Sequence, residues 1–263
     1  MFELNKRVQL FDFGFNIATN VEEVAAQMMY DAKRNSVPGC DFVITPNAYT
    51  IVKYNEAKTL KEHFKSSAYI LPDGMPIVWL SKLVGNVKLP ARICGSDLFP
   101  ALWRLIKVEQ MHATLIVPQS SVAKLFKTDY LLADCIVPPF FSEFDDAYIQ
   151  QLANEVVDCI EGTGSRFVFL GLAFPKQEKL GMAIERILQE RKFKDRVLVL
   201  LLGASYEFYF GIKARAPMVF RKLGLEWLHR FLSEPGRLWN RYTIDNAKFL
   251  GLVFSEIIKS KNA

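Results

Sequence analysis

Residues 167–178 read Phe167-Val168-Phe169-Leu170-Gly171-Leu172-Ala173-Phe174-Pro175-Lys176-Gln177-Glu178, and this stretch decides the fold. Four apolar residues in a row, without polar alternation, mark a strand covered by helices on both faces. A small-residue turn follows, and Pro175 stands where proline suits a helix's first turn. The helix spans Lys176 to Glu190, and a second continuous apolar strand runs from Val197 to Leu202. A strand, a helix and a strand in this order imply parallel pairing with a right-handed crossover.

The same alternation extends upstream. An opening strand is expected around Val8-Gln9-Leu10-Phe11, then an amphipathic helix that Asn20 can cap, with Glu22 and Glu23 favouring its positive end. A strand ends at Thr45, residues 48–66 read as helix, 68–71 as extended and 75–84 as helix, with Asp73-Gly74 as the turn. A helix over Leu98 to Glu109, capped by Ser96 or Asp97, a strand over Thr114 to Val117 and a helix over Asp145 to Glu161 complete the series. The fold class is α/β, a Rossmann-like, mostly parallel sheet flanked by helices. After Ser205 the pattern changes to two aromatic-rich, cationic helices, residues 217–232 and 236–259, parted by Glu234-Pro235-Gly236. The expected organisation is an α/β core over 1–205 and a C-terminal helical appendage over 206–263.

A chain of 263 residues, 51% hydrophobic, can build a sizeable core, and disorder is excluded. Mean hydropathy is slightly positive at +0.11. The longest apolar runs, 197–202 and 249–254, fall far below the roughly 20 residues that span a bilayer. Met1 to Arg7 holds no apolar signal core, so a cytoplasmic location is expected. Cys40, Cys94, Cys135 and Cys159 are scattered and read as free thiols. Residues 213–241 hold seven Lys and Arg against two Glu, whereas the rest of the chain carries 26 cations and 26 anions. All excess positive charge therefore lies in one 29-residue segment, which points to an anionic partner there.

Three short stretches begin where apolar runs stop: Thr45-Pro46-Asn47, Leu71-Pro72-Asp73-Gly74 and Pro175-Lys176-Gln177-Glu178. Loops beyond the carboxyl ends of strands are where open α/β sheets bind ligands, so one cleft is expected to gather all three. Each has a structural reading too. Asp73 and Gly74 suit a turn, Asn47 suits an N-cap, Asp97 suits another, and Pro175 with Glu178 suit a helix start. Gln177 has no such explanation. His63 and His112 sit near helix ends and are expected to face solvent, without the partners of a metal site. No Asp-x-Asp pair is present, so no metal and no cofactor is called for.

Together with Leu89-Pro90-Ala91-Arg92-Ile93-Cys94-Gly95-Ser96-Asp97-Leu98 and Lys213-Ala214-Arg215-Ala216-Pro217, these stretches resemble the bacterial WecG/TagA/CpsF glycosyltransferases, glycosyltransferase family 26, from about residue 40 to residue 250. The resemblance implies an inverting hexosyltransferase that moves a sugar from a UDP-sugar to a polyprenyl-diphosphate-linked saccharide in cell-surface polysaccharide synthesis. It makes Asp73 the general base. It assigns substrate binding to Thr45, Asn47, Gly74, Arg92, Asp97, Gly171, Gln177, Glu207, Arg215, Arg221 and Arg230. Two departures stand out: Ala173-Phe174 replaces a glycine-alanine pair, and Glu207 stands where the family commonly has aspartate.

The arginines of the appendage admit two readings, a solvated face or a membrane-facing one. Trp227, Phe231, Trp239, Tyr242 and Phe249 interleave with Arg221, Arg230, Arg237 and Arg241, as on helices lying at an anionic membrane interface. The resemblance implies such membrane recruitment, peripheral on the inner face of the plasma membrane. No nucleic-acid module accompanies the basic stripe, and exposed aromatics favour self-association into a homo-oligomer. A non-catalytic lipid-diphosphate-binding subunit of an assembly complex is the alternative. A nicotinamide enzyme is not supported, since no Gly-x-Gly-x-x-Gly follows a strand.

Overall fold

The computed structural model describes residues 6–34, 39–84, 87–217 and 244–262, with residues 220 and 236. Two short strands open the chain, β1 (Arg7–Leu10) and β2 (Phe13–Asn16), paired antiparallel through a turn in which Phe11 and Asp12 take positive φ. Helix α1 (Val21–Lys33) and strand β3 (Gly39–Ile44) follow, then α2 (Ala48–Glu56), α3 (Lys58–Phe64), β4 (Tyr69–Ile70), α4 (Met75–Val84) and α5 (Gly95–Val108). The second half contains β5 (Ala113–Ile116), α6 (Ser120–Asp129), β6 (Ala133–Ile136), α7 (Asp146–Thr163), β7 (Phe167–Leu170), α8 (Lys176–Glu190), β8 (Arg196–Leu201), α9 (Tyr206–Tyr209) and a final helix α10 (Asn246–Asn262).

Six strands form one parallel sheet in the order β4-β3-β8-β7-β5-β6. Side chains alternate faces along each strand, as the two-residue period requires. On β8, Val197, Val199 and Leu201 enter one apolar cluster with α2, α7, α8 and α10, while Leu198 and Leu200 enter the other with α1, α5 and α6. On β7, Val168 and Leu170 take the first face and Phe167 and Phe169 the second. Both faces are thus covered, which is why these strands read as unbroken apolar runs.

The opening strand does not join this sheet. The β1–β2 hairpin instead covers the β4 edge: the buried Asn16 side chain accepts from Ile70 N at 2.6 Å and donates to Ala68 O at 3.4 Å, and Arg7 donates to Ser67 O and Ala68 O. These bonds occupy backbone groups that an edge strand would otherwise expose. Asn20 caps α1 as expected, accepting from Glu23 N at 2.8 Å, while Glu23 reaches back to Thr19 N. The expected helix 48–66 is broken at Ala57 into α2 and α3. Helix α5 starts earlier than read, at Gly95, with Cys94 at the N-cap position and no side-chain cap, so Ser96 and Asp97 lie inside its first turn rather than capping it. The pair α6 and β6 was not anticipated.

Of the expected helix 217–232 only residues 217 and 220 are described, and Arg221, Trp227, Arg230, Phe231, Arg237, Trp239, Arg241 and Tyr242 lie outside the described residues. Of the second expected helix, 236–259, residues 246–259 are helical in α10, which continues to Asn262. Phe249 is buried and meets the Phe11 ring at 5.5 Å between centroids, and Glu256 accepts from Phe11 N at 3.1 Å.

Candidate functional site

Four adjacent strands, β4, β3, β8 and β7, deliver the motif loops to one rim of the sheet. Beyond β3 and β4 the chains stay in register: Leu71 N donates to Ile44 O at 2.9 Å and Asp73 N to Pro46 O at 3.0 Å. Gly74 then turns the chain into α4 with φ +132, a conformation that favours glycine. Asn47 caps α2 through a reciprocal capping box with Thr50. The cap uses its carbonyl oxygen, so its amide nitrogen remains to approach Asp73 Oδ2, at 3.5 Å. Capping and orientation of Asp73 are therefore both performed by Asn47.

The stretch containing Arg92 joins the same rim through Ile93 N, which donates to Pro72 O at 2.9 Å. Asp97 is the hub of this side. It accepts from Cys94 Sγ at 2.8 Å, meets Arg215 Nη2 at 2.6 Å and Arg92 Nη2 at 3.4 Å. Burial opposes its charge, but the thiol, Arg215 and Arg92 together hold its carboxyl below the usual range. The Cys94 thiol is pushed up to about 12, by burial first and by the Asp73 charge next, so it is a donor here and not a nucleophile. Arg215 also donates to Ser96 Oγ at 3.0 Å, which fastens the segment after α9 to the first turn of α5.

That first turn presses on the β3 and β8 loops. A Cβ on Gly95 would lie 2.6 Å from Ser205 Oγ and 3.5 Å from Thr45 Oγ1, so glycine is what allows Thr45, Ser205 and α5 to meet. At Gly171 a Cβ would lie 2.6 Å from Ile116 O and 2.7 Å from the Tyr206 ring; the small residue serves the protein's own packing there. Glu207 is ion-paired with Lys213, and Lys213 N donates to Glu207 O at 3.2 Å, which closes the turn after α9. A cavity of about 310 Å³ lies between the first turns of α1 and α5, lined by Glu22, Asp97, Arg104 and Arg215, and by none of Thr45, Asn47, Asp73 or Gln177.

Gln177 and Glu178 stand at the start of α8, which has no side-chain cap. Gln177 Oε1 accepts from Gly203 N at 3.1 Å and its Nε2 donates to Glu178 Oε1 at 3.1 Å. Glu178 is 1% exposed, so it does not serve as a surface charge at the helix start, contrary to the expectation for it. Tyr54 OH donates to the same Oε1 at 3.3 Å, and Phe174 lies edge-on to the Tyr54 ring. Burial pushes the Glu178 carboxyl up to about 7 despite these donors. The sequence carries a signal for the burial of Gln177: the buried stripe Leu180, Ile184, Ile187, projected back one turn, falls on it.

The histidines are less solvated than expected. His63 Nε2 is 3.0 Å from Glu185 and its ring lies against Phe42 and Phe64, while His112 Nδ1 is 2.7 Å from Asp134. Among the described residues no group of three or more His, Cys, Asp or Glu is arranged to hold a metal ion, and all four cysteines are free.

Comparison with known proteins places this rim in context. The chain is 28% identical over 200 residues to an N-acetylglucosaminyldiphosphoundecaprenol N-acetyl-beta-D-mannosaminyltransferase of Bacillus spizizenii, covering 76% of this chain and 74% of the relative. It is 28% identical over 220 residues to a protein of the same description from Staphylococcus aureus strain MRSA252, covering 84% and 80%. The model of the glycosyl transferase WecG/TagA/CpsF family matches residues 8–263, nearly the whole chain. With Asp73, Asn47, Arg92, Asp97 and Gln177 all carried to one rim of a parallel sheet, the chain belongs to the WecG/TagA/CpsF family of glycosyl transferases.

Proposed function

We propose that this glycosyltransferase moves N-acetylmannosamine from its UDP-activated form to a polyprenyl-diphosphate-linked saccharide, with inversion at the anomeric carbon. The observation that carries this reading is the placement of Asp73: its backbone is tied to the β3 loop, its carboxylate is approached by the Asn47 amide, and it stands at the strand ends where such sheets take ligands. Both relatives are named for transfer of N-acetylmannosamine to a diphosphoundecaprenol-linked sugar. Asp73 takes the proton of the acceptor hydroxyl as that oxygen attacks the anomeric carbon and UDP departs on the opposite face. Thr45, Gly74 and Gln177 line the substrate, with Gly171 shaping the turn behind them and Glu207 on the neighbouring loop. Arg92 and Arg215, oriented by Asp97, supply positive charge to the diphosphates, joined by Arg221 and Arg230.

The acceptor's lipid tail places the enzyme at a membrane surface. Helix α10 supports this with exposed Leu250, Phe254 and Ile258 one turn apart, beside Lys248, Lys259 and Lys261, and the excess cations of 213–241 adjoin it in sequence. No helix among the described residues is long and apolar enough to cross a bilayer. We propose that the exposed face of α10 rests on the anionic inner face of the plasma membrane.

The test is UDP release by the full chain with a short-prenyl diphosphate-linked N-acetylglucosamine acceptor and a panel of UDP-sugars, with and without EDTA, beside Asp73→Asn. Release with UDP-N-acetylmannosamine, lost in the variant while UDP still binds, is the expected result. Acceptor binding without turnover for every donor would favour the non-catalytic subunit.

A further inference from the structure

The chain Tyr54, Glu178, Gln177 and Gly203 joins three of the rim's loops, and one member of it has been given no role. Tyr54 lies on α2, two turns beyond Asn47; Gln177 and Glu178 open α8 after β7; Gly203, at φ +54, turns the chain after β8. The orientation of the Gln177 amide is determined at both ends. A flipped amide would set its NH₂ against the Gly203 N–H and its oxygen against Glu178 Oε1, donor on donor and acceptor on acceptor. In the observed orientation Nε2 spends one hydrogen on Glu178, and its second hydrogen has no partner among the described residues.

Glu178 holds this arrangement through one oxygen only. Oε1 accepts from both Tyr54 and Gln177, whereas the buried Oε2 has no hydrogen-bond partner among the described residues. An anionic oxygen without a donor is the costliest group to bury, so the carboxyl proton belongs on Oε2. The surroundings supply no counter-charge. The groups facing Glu178 are the Gln177 amide and the Glu178 backbone N–H from α8 and the Tyr54 hydroxyl from α2, all uncharged, and no Lys, Arg or His contributes to its titration. Lys176 and Lys179 are turned the other way, to Phe141 O and to Glu143 O with Asp146.

We propose that Glu178 is a positioning residue for the transfer reaction: as a neutral acid it serves as a double acceptor at Oε1 and fixes the Gln177 amide, so that the remaining Nε2 hydrogen is directed to a substrate oxygen. The proposal rests on the transferase reading for its kinetic consequence, and on the protein alone for its protonation state. Burial, which raises this carboxyl to about 7, agrees with a neutral acid below that pH. Ionisation would keep Oε1 as an acceptor but place charge on the unsolvated Oε2, so the ordered state is lost as pH rises.

Three variants and one spectrum test it. Glu178→Ala removes the acceptor, and a misplaced Gln177 is expected to lower kcat/KM by on the order of 100-fold. Glu178→Gln, whose amide oxygen can take both donors, is expected to recover most of that loss and to lack the fall in kcat/KM expected of the native enzyme above about pH 7. Gln177→Ala combined with Glu178→Ala is expected to be no worse than Gln177→Ala alone, because Glu178 acts through Gln177. The ¹³C resonance of the Glu178 carboxyl, assigned by its loss in Glu178→Gln, should report a protonated acid at pH 6. An ionised carboxyl at pH 6 would overturn the proposal whether or not the panel of donors yields turnover. Additive losses in the double variant, or no recovery in a folded Glu178→Gln that still binds UDP, would also overturn it. Absence of turnover in the native enzyme with a protonated Glu178 would refute the donor or the transferase reading and leave the neutral acid established.

Discussion

Replacing Glu178 by Gln should change how the stability of this protein depends on pH, and the size of the change follows from burial. The carboxyl titrates at about 7 in the folded chain against 4.5 when unperturbed. Below 4.5 both states hold the proton; between 4.5 and 7 the unfolded chain releases it while the native chain keeps it. Native stability therefore falls as pH rises through this window and levels off above 7. This difference corresponds to about 3 kcal/mol, most of which is lost between pH 5 and pH 8. Gln cannot titrate, so the difference in unfolding free energy between variant and native protein should shift in favour of the variant by that amount over the same range. Urea unfolding of both proteins at pH 5, 6, 7 and 8, compared pairwise so that all other titrations cancel, measures it. A pH-independent difference, or one that shifts the other way, would refute the argument that burial outweighs the Tyr54 and Gln177 hydrogen bonds.

Other consequences are shorter to state. Asp73→Asn should lower kcat by roughly 10³-fold with UDP affinity within threefold and an unchanged thermal midpoint, checked by UDP release and calorimetry; loss of fold would return Asp73 to a turn role. Asp97→Ala strips Arg92 and Arg215 of their shared carboxylate and should cost on the order of 2 kcal/mol in urea unfolding, together with a rise in the KM for the donor. Gly203→Ala forces a side chain into φ +54 and should cost about 1 kcal/mol, whereas Gly171→Ala, which meets Ile116 O and the Tyr206 ring, should cost more, about 2 to 3 kcal/mol. Leu250→Ser with Phe254→Ser should weaken sedimentation with phosphatidylglycerol vesicles while leaving the thermal midpoint within a few degrees.

The core strands and the rim were legible in the sequence because they obey local rules. Phe167 to Leu170 and Val197 to Leu202 announce two covered faces, and turn residues mark where each strand ends. What escaped was set by tertiary pairing. Arg7 to Leu10 is as strand-like as any segment, and nothing local to it says that it pairs with Phe13 to Asn16 and that Asn16 then binds the edge at Ile70. The four-residue β5 and β6, Ala113–Ile116 and Ala133–Ile136, are short, and Asp134 and Cys135 interrupt the apolar run of the second. In the site, Asp97 suited a cap by residue type; only the arrival of Arg215, 118 residues later, makes it an arginine hub. Glu178 was hidden by its charge, since a glutamate in a first helical turn ordinarily faces water.

The strand order has a consequence for synthesis. β8 lies between β3 and β7, yet it is the last strand of the sheet to be made. A ribosome that has reached Lys194 has delivered a β4-β3 pair and a β7-β5-β6 trio, each with an open inner edge, and neither half carries the complete rim. Only when residues 196–201 slide between them do Thr45 and Asp73 come to stand opposite Gln177 and Gly203. The β3 edge thus stays unpaired from residue 44 until residue 196 is made, and the β7 edge from residue 170, the kind of surface that folding chaperones guard. The complete rim therefore arises in a single step, when β8 enters the sheet, and not by gradual addition of its loops.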